Sequence, residues 1–543
     1  MQRNSESPHA QIVVRTLHAA LDGFSAEPLA PVPLPSDPDG YRRISLRCDE
    51  QIEVVAARWR EGGQCAWHGH DGSAAVYTVL SGAIEEERCL PEGDRFRYEV
   101  ELLRPGQRSY LPPGSFHRVR AVEESLTLHS YSPPPIRAAA ALSEAAEALL
   151  AAAKQRAAIP AALVCRPQSD PVTAVRSLLD GWAEREAQAQ RAGQRRLPPQ
   201  TIEEMRASGI LAAPIPEDLG GWGASLAETA AAVRLVAQRA PATALALAMP
   251  LGNAATTRIP PSCVSLAVRT ALDEGKRWIA EQVARGRILA VANSEPGAGG
   301  DLANTRTTAQ RAADGRWRLT GRKSFATFGP DGDYFLCAAR RMPECPDDCS
   351  NVDGFFVSRH AEGVTVDDHW NPAGMGPTAS VGLTLQDAAA ESCLGYPGCL
   401  EGVNARYWST VLFAAVFLGV GEGSLREGLH HAPDAGPWAR STLAEHALRL
   451  DAAAGYLETV ARDERWPLPA EAQERTRRAK TFIARTTVES ATHVALICGG
   501  RCYTPNHPVF RFLLDALAGP LLRPPLPQAM DALAHQLFHA ASA

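Results

Sequence analysis

Residues 62–82 read GGQCAWHGHDGSAAVYTVLSG, and residues 106–117 read GQRSYLPPGSFH. In the first stretch Gly62 is followed by His68 and His70, and Gly82 marks the next turn. Two histidines at i and i+2 on a strand point to the same face, so both imidazoles can reach one ion. In the second stretch Gly106, Pro112 and Gly114 lead into His117, a third imidazole delivered from a later strand after a tight turn. Imidazole donors suit Fe, Zn, Cu or Ni, and a facial set of three leaves positions open for oxygen chemistry. A His-Gly-His triplet alone reads more simply as a surface or core pair. The two motifs together make His68, His70 and His117 a candidate metal site.

Working outward, the chain from Tyr41 to about Ser132 reads as strands: IEVVAARW, AVYTVL, AIEEERC, FRYEVELL, RSYLP, FHRVRAV and LTLHSYS. Gly and Pro turns divide them at regular spacing, which predicts a small all-β sandwich or barrel. Residues 10–23 have helical spacing and run into the Pro-rich stretch EPLAPVPLPSDPDG. The alanine-rich segment Ala138–Ala158 predicts a helix, and the polar, proline-marked CRPQSDP that follows places a junction near residue 168. Beyond it the chain reads helical to about 288, strand-like to about 390, and helical to its end. The predicted domains are therefore residues 1–136, an Ala-rich helical linker at 137–168, and residues 169–543, divided into 169–288 (helical), 289–390 (β) and 391–543 (a helical bundle).

At 543 residues the chain is too long for one core. Its 45% hydrophobic and 21% charged content is that of an ordinary globular protein. A net charge of −6, with no basic stripe interleaved with aromatics, argues against nucleic acid as a partner. The opening MQRNSESPHAQIVV has no basic start followed by an apolar run, and apolar stretches such as Val411–Val420 are too short to span a bilayer. Twelve cysteines scattered singly fit a reducing cytoplasm. Cys345 and Cys349 form a close pair, but no second pair or histidine cluster accompanies them as a structural metal site would need.

The segment from about Tyr41 to Pro134, in WREGGQCAWHGHDGSAAVYTVLSGAIEE and LPPGSFHRVRAVEESLTLHSYSPP, resembles the cysteine dioxygenase-type cupins, the thiol dioxygenases. The resemblance implies a cupin barrel that holds Fe(II) on His68, His70 and His117. Many cupins add a glutamate ligand a few residues after the second histidine, whereas this chain reads Asp71-Gly72-Ser73-Ala74-Ala75. The likeness assigns Arg43 to the substrate carboxylate, which a planar guanidinium can bind in bidentate fashion. It places Tyr41 beside Arg43, His129 behind the site, and Tyr131 over the metal. Animal relatives join a cysteine to this tyrosine through a thioether. The aligned residue here is Ala75, so that crosslink is not expected. Mercaptopropionate dioxygenases carry glutamine where Arg43 stands, which leans the reading toward cysteine.

From about residue 170 the chain resembles the acyl-CoA dehydrogenases. The likeness is carried by LPPQTIEEMRASGILAAPIPEDLGGWG, ANSEPGAGGDLANTRTTAQ, GRWRLTGRKSFATFGPDGDYFLCAAR, DHWNPAGMGPTAS and ICGGRCYTPNHPVFRFLLDALAG, in the family's order. It implies a helical domain, a small β domain and a helical bundle, with FAD or FMN bound near Ser294, Gly299, Gly300, Phe325 and Thr327. Family contacts to a partner subunit's flavin are not evident around His430–Arg440, and the glutamine expected shortly before Gly499 is replaced by the run ALIC. The glutamate that abstracts a proton in many members falls on Arg523, a permanent cation that cannot be that base.

The expectation is a bifunctional sulfur-oxidising enzyme. The first domain converts a small cysteine-like thiol and O2 to a sulfinate. The flavin domain acts on a related or downstream compound, by desulfination, oxidation or dehydrogenation, with a CoA- or carrier-linked substrate within the family's range and a homo-oligomer implied. Two alternatives stand beside it. The second half is a non-catalytic dimerisation or substrate-presenting scaffold, or the cupin binds a ligand without turnover.

Overall fold

The computed structural model describes residues 16–17, 19–21, 40–49, 51–70, 73–92, 95–134, 140–141, 170–260, 264, 266–298, 302–342, 351–400 and 410–542. They fall into two compact units, Met1–Ala158 and Ile159–Ala543.

The first unit is all-β. Its strands are β1 (Tyr41–Cys48), β2 (Glu53–Trp59), β3 (His68–Gly69), β4 (Ala74–Ser81), β5 (Ile84–Glu92), β6 (Arg95–Leu103), β7 (Arg108–Leu111), β8 (Phe116–Ala121), β9 (Ser125–Ser132) and β10 (Ala140–Ala141). They form two five-stranded sheets, ordered β1-β2-β9-β4-β7 and β10-β3-β8-β5-β6. All their pairings are antiparallel. Alternation places the side chains: in β8, His117, Val119 and Ala121 are buried while Arg118 and Arg120 face outward. Val55, Trp59, Tyr77, Ile84, Leu103, Leu111, Val119 and Tyr131, drawn from both sheets, form one core. A second cluster, with Val54, Val76 and Leu128, is joined by the helical residues Leu17 and Leu21. Gly82 has φ +76°, and a Cβ there would lie 2.2 Å from the Glu124 carbonyl, so the β4–β5 turn requires glycine.

One expectation is corrected here. Within the predicted Ala138–Ala158 helix, Ala140 and Ala141 are a strand paired with Gly69 and His68. Tertiary pairing overrides alanine's helix propensity at these two residues. The rest of the predicted linker helix, and Cys345 with Cys349, lie outside the described residues.

The second unit begins with helices Pro171–Arg191, Pro199–Ala207, Leu226–Ala237, Pro241–Ala254 and Leu266–Ala284. Asp170 caps the first through the Val172 and Thr173 amides, and Ser225 with Glu228 forms a capping box on the third. Pro241–Ala254 is buried along its whole length. Seven strands follow: β11 (Leu289–Val291), β12 (Thr308–Arg311), β13 (Trp317–Ala326), β14 (Tyr334–Met342), β15 (Val352–Ser358), β16 (Val364–Val366) and β17 (Val381–Cys393). The pairings β14–β12, β12–β13, β13–β17, β17–β15 and β15–β14 close on themselves, so the sheet curls into a small barrel. The chain ends in helices Phe413–His431, Pro437–Ala461, Ala470–Cys498, Pro508–Ala516 and Leu526–Ser542. A core of buried apolar side chains is shared by the first helices, the β strands and the later helices.

Candidate functional sites

In the first unit β3 and β8 pair His68 directly with His117. Nε2 of His117 stands 3.0 Å from Nε2 of His70 and 3.1 Å from Nε2 of His68. The donor atoms of all three lie within 4.8 Å of one another. Their other ring nitrogens explain why this is not an ordinary hydrogen-bonded cluster. His68 Nδ1 lies 2.8 Å from the Ala66 carbonyl, and His117 Nδ1 lies 2.8 Å from Glu86 Oε1. Both contacts require the proton on Nδ1, which leaves each Nε2 as a bare lone pair aimed at the other. Two lone pairs at 3.1 Å repel unless a cation lies between them, so this donor set fits a metal ion. Burial first, and the neighbouring His117 second, hold His68 down at about 3 and His70 at about 2, which keeps both imidazoles neutral and ligand-ready.

Glu86, which nothing in the sequence singles out, joins this cluster through His117. It is completely buried on β5, and it accepts hydrogen bonds from Ser109 Oγ at 2.6 Å and Arg88 Nη1 at 3.3 Å as well as from His117. Burial works against its charge, yet the His117 hydrogen bond and the Arg88 charge hold the carboxyl at about 2. Arg88 also bridges Glu99 at 2.8 Å and Glu101 at 3.0 Å. A metal-bound histidine is commonly oriented by just such a carboxylate.

The remaining predicted residues gather around the three imidazoles. Arg43, His129 and Tyr131 line one narrow cavity with His68, His117, Tyr41 and Cys65. The Arg43 guanidinium lies 5.7 Å from the Tyr131 ring centre, and that ring is 4.9 Å from His70. Burial pushes the Tyr131 phenol up to about 12, so it keeps its proton at neutral pH. His129 shares a 2.8 Å hydrogen bond with Thr127 Oγ1, which itself accepts from Trp59 Nε1 at 2.9 Å. The His129 ring stacks on Tyr77 and runs parallel to Tyr131 at 6.2 Å. Tyr41 stacks on Trp59 at 4.5 Å, which fixes one wall of the cavity. Ala75 is the direct cross-strand partner of Tyr131, so a methyl group stands where a crosslinking thiol would be required.

The second unit holds a cleft of about 800 Å³, lined among others by Ser294, Phe325, Thr327, Trp370, Met375 and Arg523. Phe325 sits at φ +56° beside a register shift in β13, and this backbone turns its ring outward, 62% exposed. Its ring meets Trp370 edge-on at 6.4 Å. Thr327 Oγ1 and Thr378 Oγ1 each lie 2.9 Å from Ser380 Oγ, forming a hydroxyl chain along the wall. Gly299 and Gly300 lie outside the described residues. The loop carrying Trp370 and Met375 is fastened by a hydrogen bond from the Met375 amide to buried Asp515. A Cβ on Gly374 would lie 2.2 Å from the Leu514 carbonyl, so only glycine allows this approach. Arg523, where the resemblance expects a base, projects into the cleft with Nη2 3.3 Å from Ser294 Oγ.

Three consecutive segments match acyl-CoA dehydrogenase domains: residues 169–258 the N-terminal, 290–388 the middle and 412–520 the C-terminal domain. Together they span over half of the chain. The second unit is acyl-CoA dehydrogenase-like. Over 348 residues the chain is 27% identical to the amino sugar nitrososynthase DnmZ of Streptomyces peucetius, covering 60% of this chain and 83% of that protein. The fold also matches the structure of KijD3 in complex with FMN and a dTDP-amino-keto sugar (TM-score 0.57, 24% identity, 69% of this chain and 96% of that one). FMN-bound TdsC from Paenibacillus sp. A11-2 gives a TM-score of 0.58 at 20% identity, over 68% of this chain and 98% of its own. At these identities the two structures establish the fold of the acyl-CoA dehydrogenase-like unit.

Proposed function

We propose that the chain is a bifunctional sulfur-oxidising enzyme, with an N-terminal cupin that is an Fe(II)-dependent thiol dioxygenase and a flavin-dependent C-terminal half. The observation that carries the first part is the convergence of the Nε2 atoms of His68, His70 and His117, with Arg43 and Tyr131 set around them. Fe(II) on His68, His70 and His117 would supply open positions at which a thiolate and O2 can meet.

The residues around that point do the rest. Arg43 binds the carboxylate of a cysteine-like thiol and fixes its orientation. Tyr131 keeps its proton at neutral pH and can donate it as a hydrogen bond to an oxygen or sulfur atom that develops charge. Thr127 and Tyr77 fix the His129 ring, which packs parallel to Tyr131. The buried walls, from Trp59 to Val119, exclude water.

In the C-terminal half, FMN or FAD against Ser294, Phe325 and Thr327 would supply two-electron redox chemistry. A likeness to a nitrososynthase, and Arg523 in place of a base, favour oxidation or desulfination over proton-abstracting dehydrogenation. A cytoplasmic homo-oligomer is part of the same reading.

The test is oxygen uptake by the Fe(II)-loaded protein with cysteine, 3-mercaptopropionate and cysteamine, with products weighed by mass spectrometry. A sulfinate from one of them is expected, with cysteine preferred because Arg43 has a carboxylate to bind. Uptake equal to that of free Fe(II) with every thiol would refute the dioxygenase reading. Purified protein that neither carries nor takes up FMN or FAD would refute the flavin reading.

A further inference from the structure

The chain of hydroxyls along the cleft wall has a direction that its hydrogen bonds determine. Thr327 Oγ1 lies 2.9 Å from Ser380 Oγ, which lies 2.9 Å from Thr378 Oγ1. Thr378 Oγ1 donates in turn to the Met375 carbonyl at 2.8 Å, since a carbonyl has no proton to give. Among the described residues these are the hydrogen bonds that the three hydroxyls make. All three residues are buried, and all three line the cleft.

A hydroxyl has one proton and two acceptor lone pairs. With the Thr378 proton on the Met375 carbonyl, Ser380 must donate to Thr378, and Thr327 must then donate to Ser380. Thr327 Oγ1 is left with lone pairs only, so it presents an acceptor to the cleft. The opposite direction runs from Thr378 through Ser380 to Thr327 and makes Thr327 a donor. It gives up the bond from the Thr378 hydroxyl to Met375, whose carbonyl keeps the Thr378 amide at 3.2 Å in either case. A ligand acceptor on Thr327 therefore brings the total to three hydrogen bonds, whereas a ligand N–H brings it to four. Chains of this kind also strengthen their own members in a low-dielectric wall.

We propose that Ser380 and Thr378 are positioning residues that fix Thr327 as an acceptor, and that this acceptor favours the reduced form of a flavin bound in the cleft. The inference rests on the flavin reading above and adds which redox form this wall prefers. Two-electron reduction of an isoalloxazine places a proton on a ring nitrogen that is an acceptor in the oxidised form. The ring carbonyls, and the N–H that both forms share, do not change. Against an acceptor-only hydroxyl, that reduction replaces a mismatch with a hydrogen bond. One net hydrogen bond is worth about 3- to 10-fold in the ratio of affinities for the two forms, or about 15 to 30 mV in a two-electron potential.

The test loads the full chain with FMN and measures the midpoint potential of the bound FMN against a reference dye. Xanthine, through xanthine oxidase, supplies the electrons and the solvent supplies the protons. Thr378→Val keeps nearly the same shape without the hydroxyl, and is expected to lower the potential by about 15 to 30 mV. Thr378→Ser restores the hydroxyl and should keep the wild-type value. Ser380→Ala cuts the chain at its centre and should give a fall like that of Thr378→Val. In a Thr327→Val background, adding Thr378→Val should change nothing further, because Thr378 acts only through Thr327. An equal fall in that background overturns the inference, as does an unchanged potential in both Thr378→Val and Ser380→Ala. Either result leaves the flavin reading in place. Wild-type protein that takes up no FMN removes both.

Discussion

Glu86 and Arg43 act on different aspects of the three-histidine site, and their substitutions should separate. Glu86 holds the Nδ1 proton of His117 in a fully buried network with Arg88 and Ser109. Glu86→Gln should lower metal affinity roughly 10- to 100-fold, measured by competition with a chelator, and Glu86→Asp should recover part of it. Wild-type affinity in the glutamine variant would show that the carboxylate only packs. The Arg43 guanidinium lies 5.7 Å from the Tyr131 ring centre, in the cavity that His68 and His117 also line. Arg43→Ala should raise KM for cysteine about tenfold or more while iron content stays unchanged. Loss of iron would move Arg43 from substrate binding to site integrity. The three histidines are legible from motif spacing on strands, whereas Arg43, His129 and Tyr131 are reached only through the resemblance to the thiol dioxygenases. Glu86 and Thr127 are reached by neither. In IEEERC both faces of the strand carry charge, so alternation gives no sign that Glu86 and Arg88 point inward while Glu85 and Glu87 do not.

At the scale of elements, the seven quoted strands of the first unit were legible as β2 and β4 to β9, since apolar alternation between Gly and Pro turns marks them. β1 was not among them, because YRRISLRC places charge along an edge strand whose side chains stay half or fully exposed. The β10 pairing and the closure of the second unit's barrel through β14, β15 and β17 depend on contacts distant in sequence, which local pattern does not encode. The loop that shapes the cleft is likewise a tertiary feature, held by Asp515. Burial first, and the nearby Glu186 carboxyl second, push Asp515 up to about 7 from its ordinary 3.8. An acid with a raised folded pKa binds its proton more tightly in the folded state. Its stabilising contribution is therefore complete below about 4 and is lost as pH rises to about 7. Asp515→Asn keeps an oxygen for the Met375 amide and removes that titration. Its Tm should fall less than that of the wild type between pH 4 and 8, followed by calorimetry. Parallel Tm profiles would contradict the assignment.

At the scale of the molecule, the residues proposed for the two reactions belong to different units. His68→Ala should abolish iron retention and thiol oxidation while flavin uptake by the second unit stays as in the wild type. Joint loss would show that the units depend on each other. The second unit also exposes large apolar side chains, among them Trp438, Leu496, Tyr503 and Phe538. Exposed apolar side chains mark association sites only where they form a contiguous patch; the homo-oligomer reading predicts a species larger than one chain in sedimentation. The most direct measurement is the mass of the product formed from cysteine by Fe(II)-loaded protein under isotopically labelled O2. A sulfinate carrying both labelled oxygen atoms, formed by the wild type and absent with His68→Ala, is the expected result. Cystine alone, or a product without both labels, would contradict a thiol dioxygenase at His68, His70 and His117.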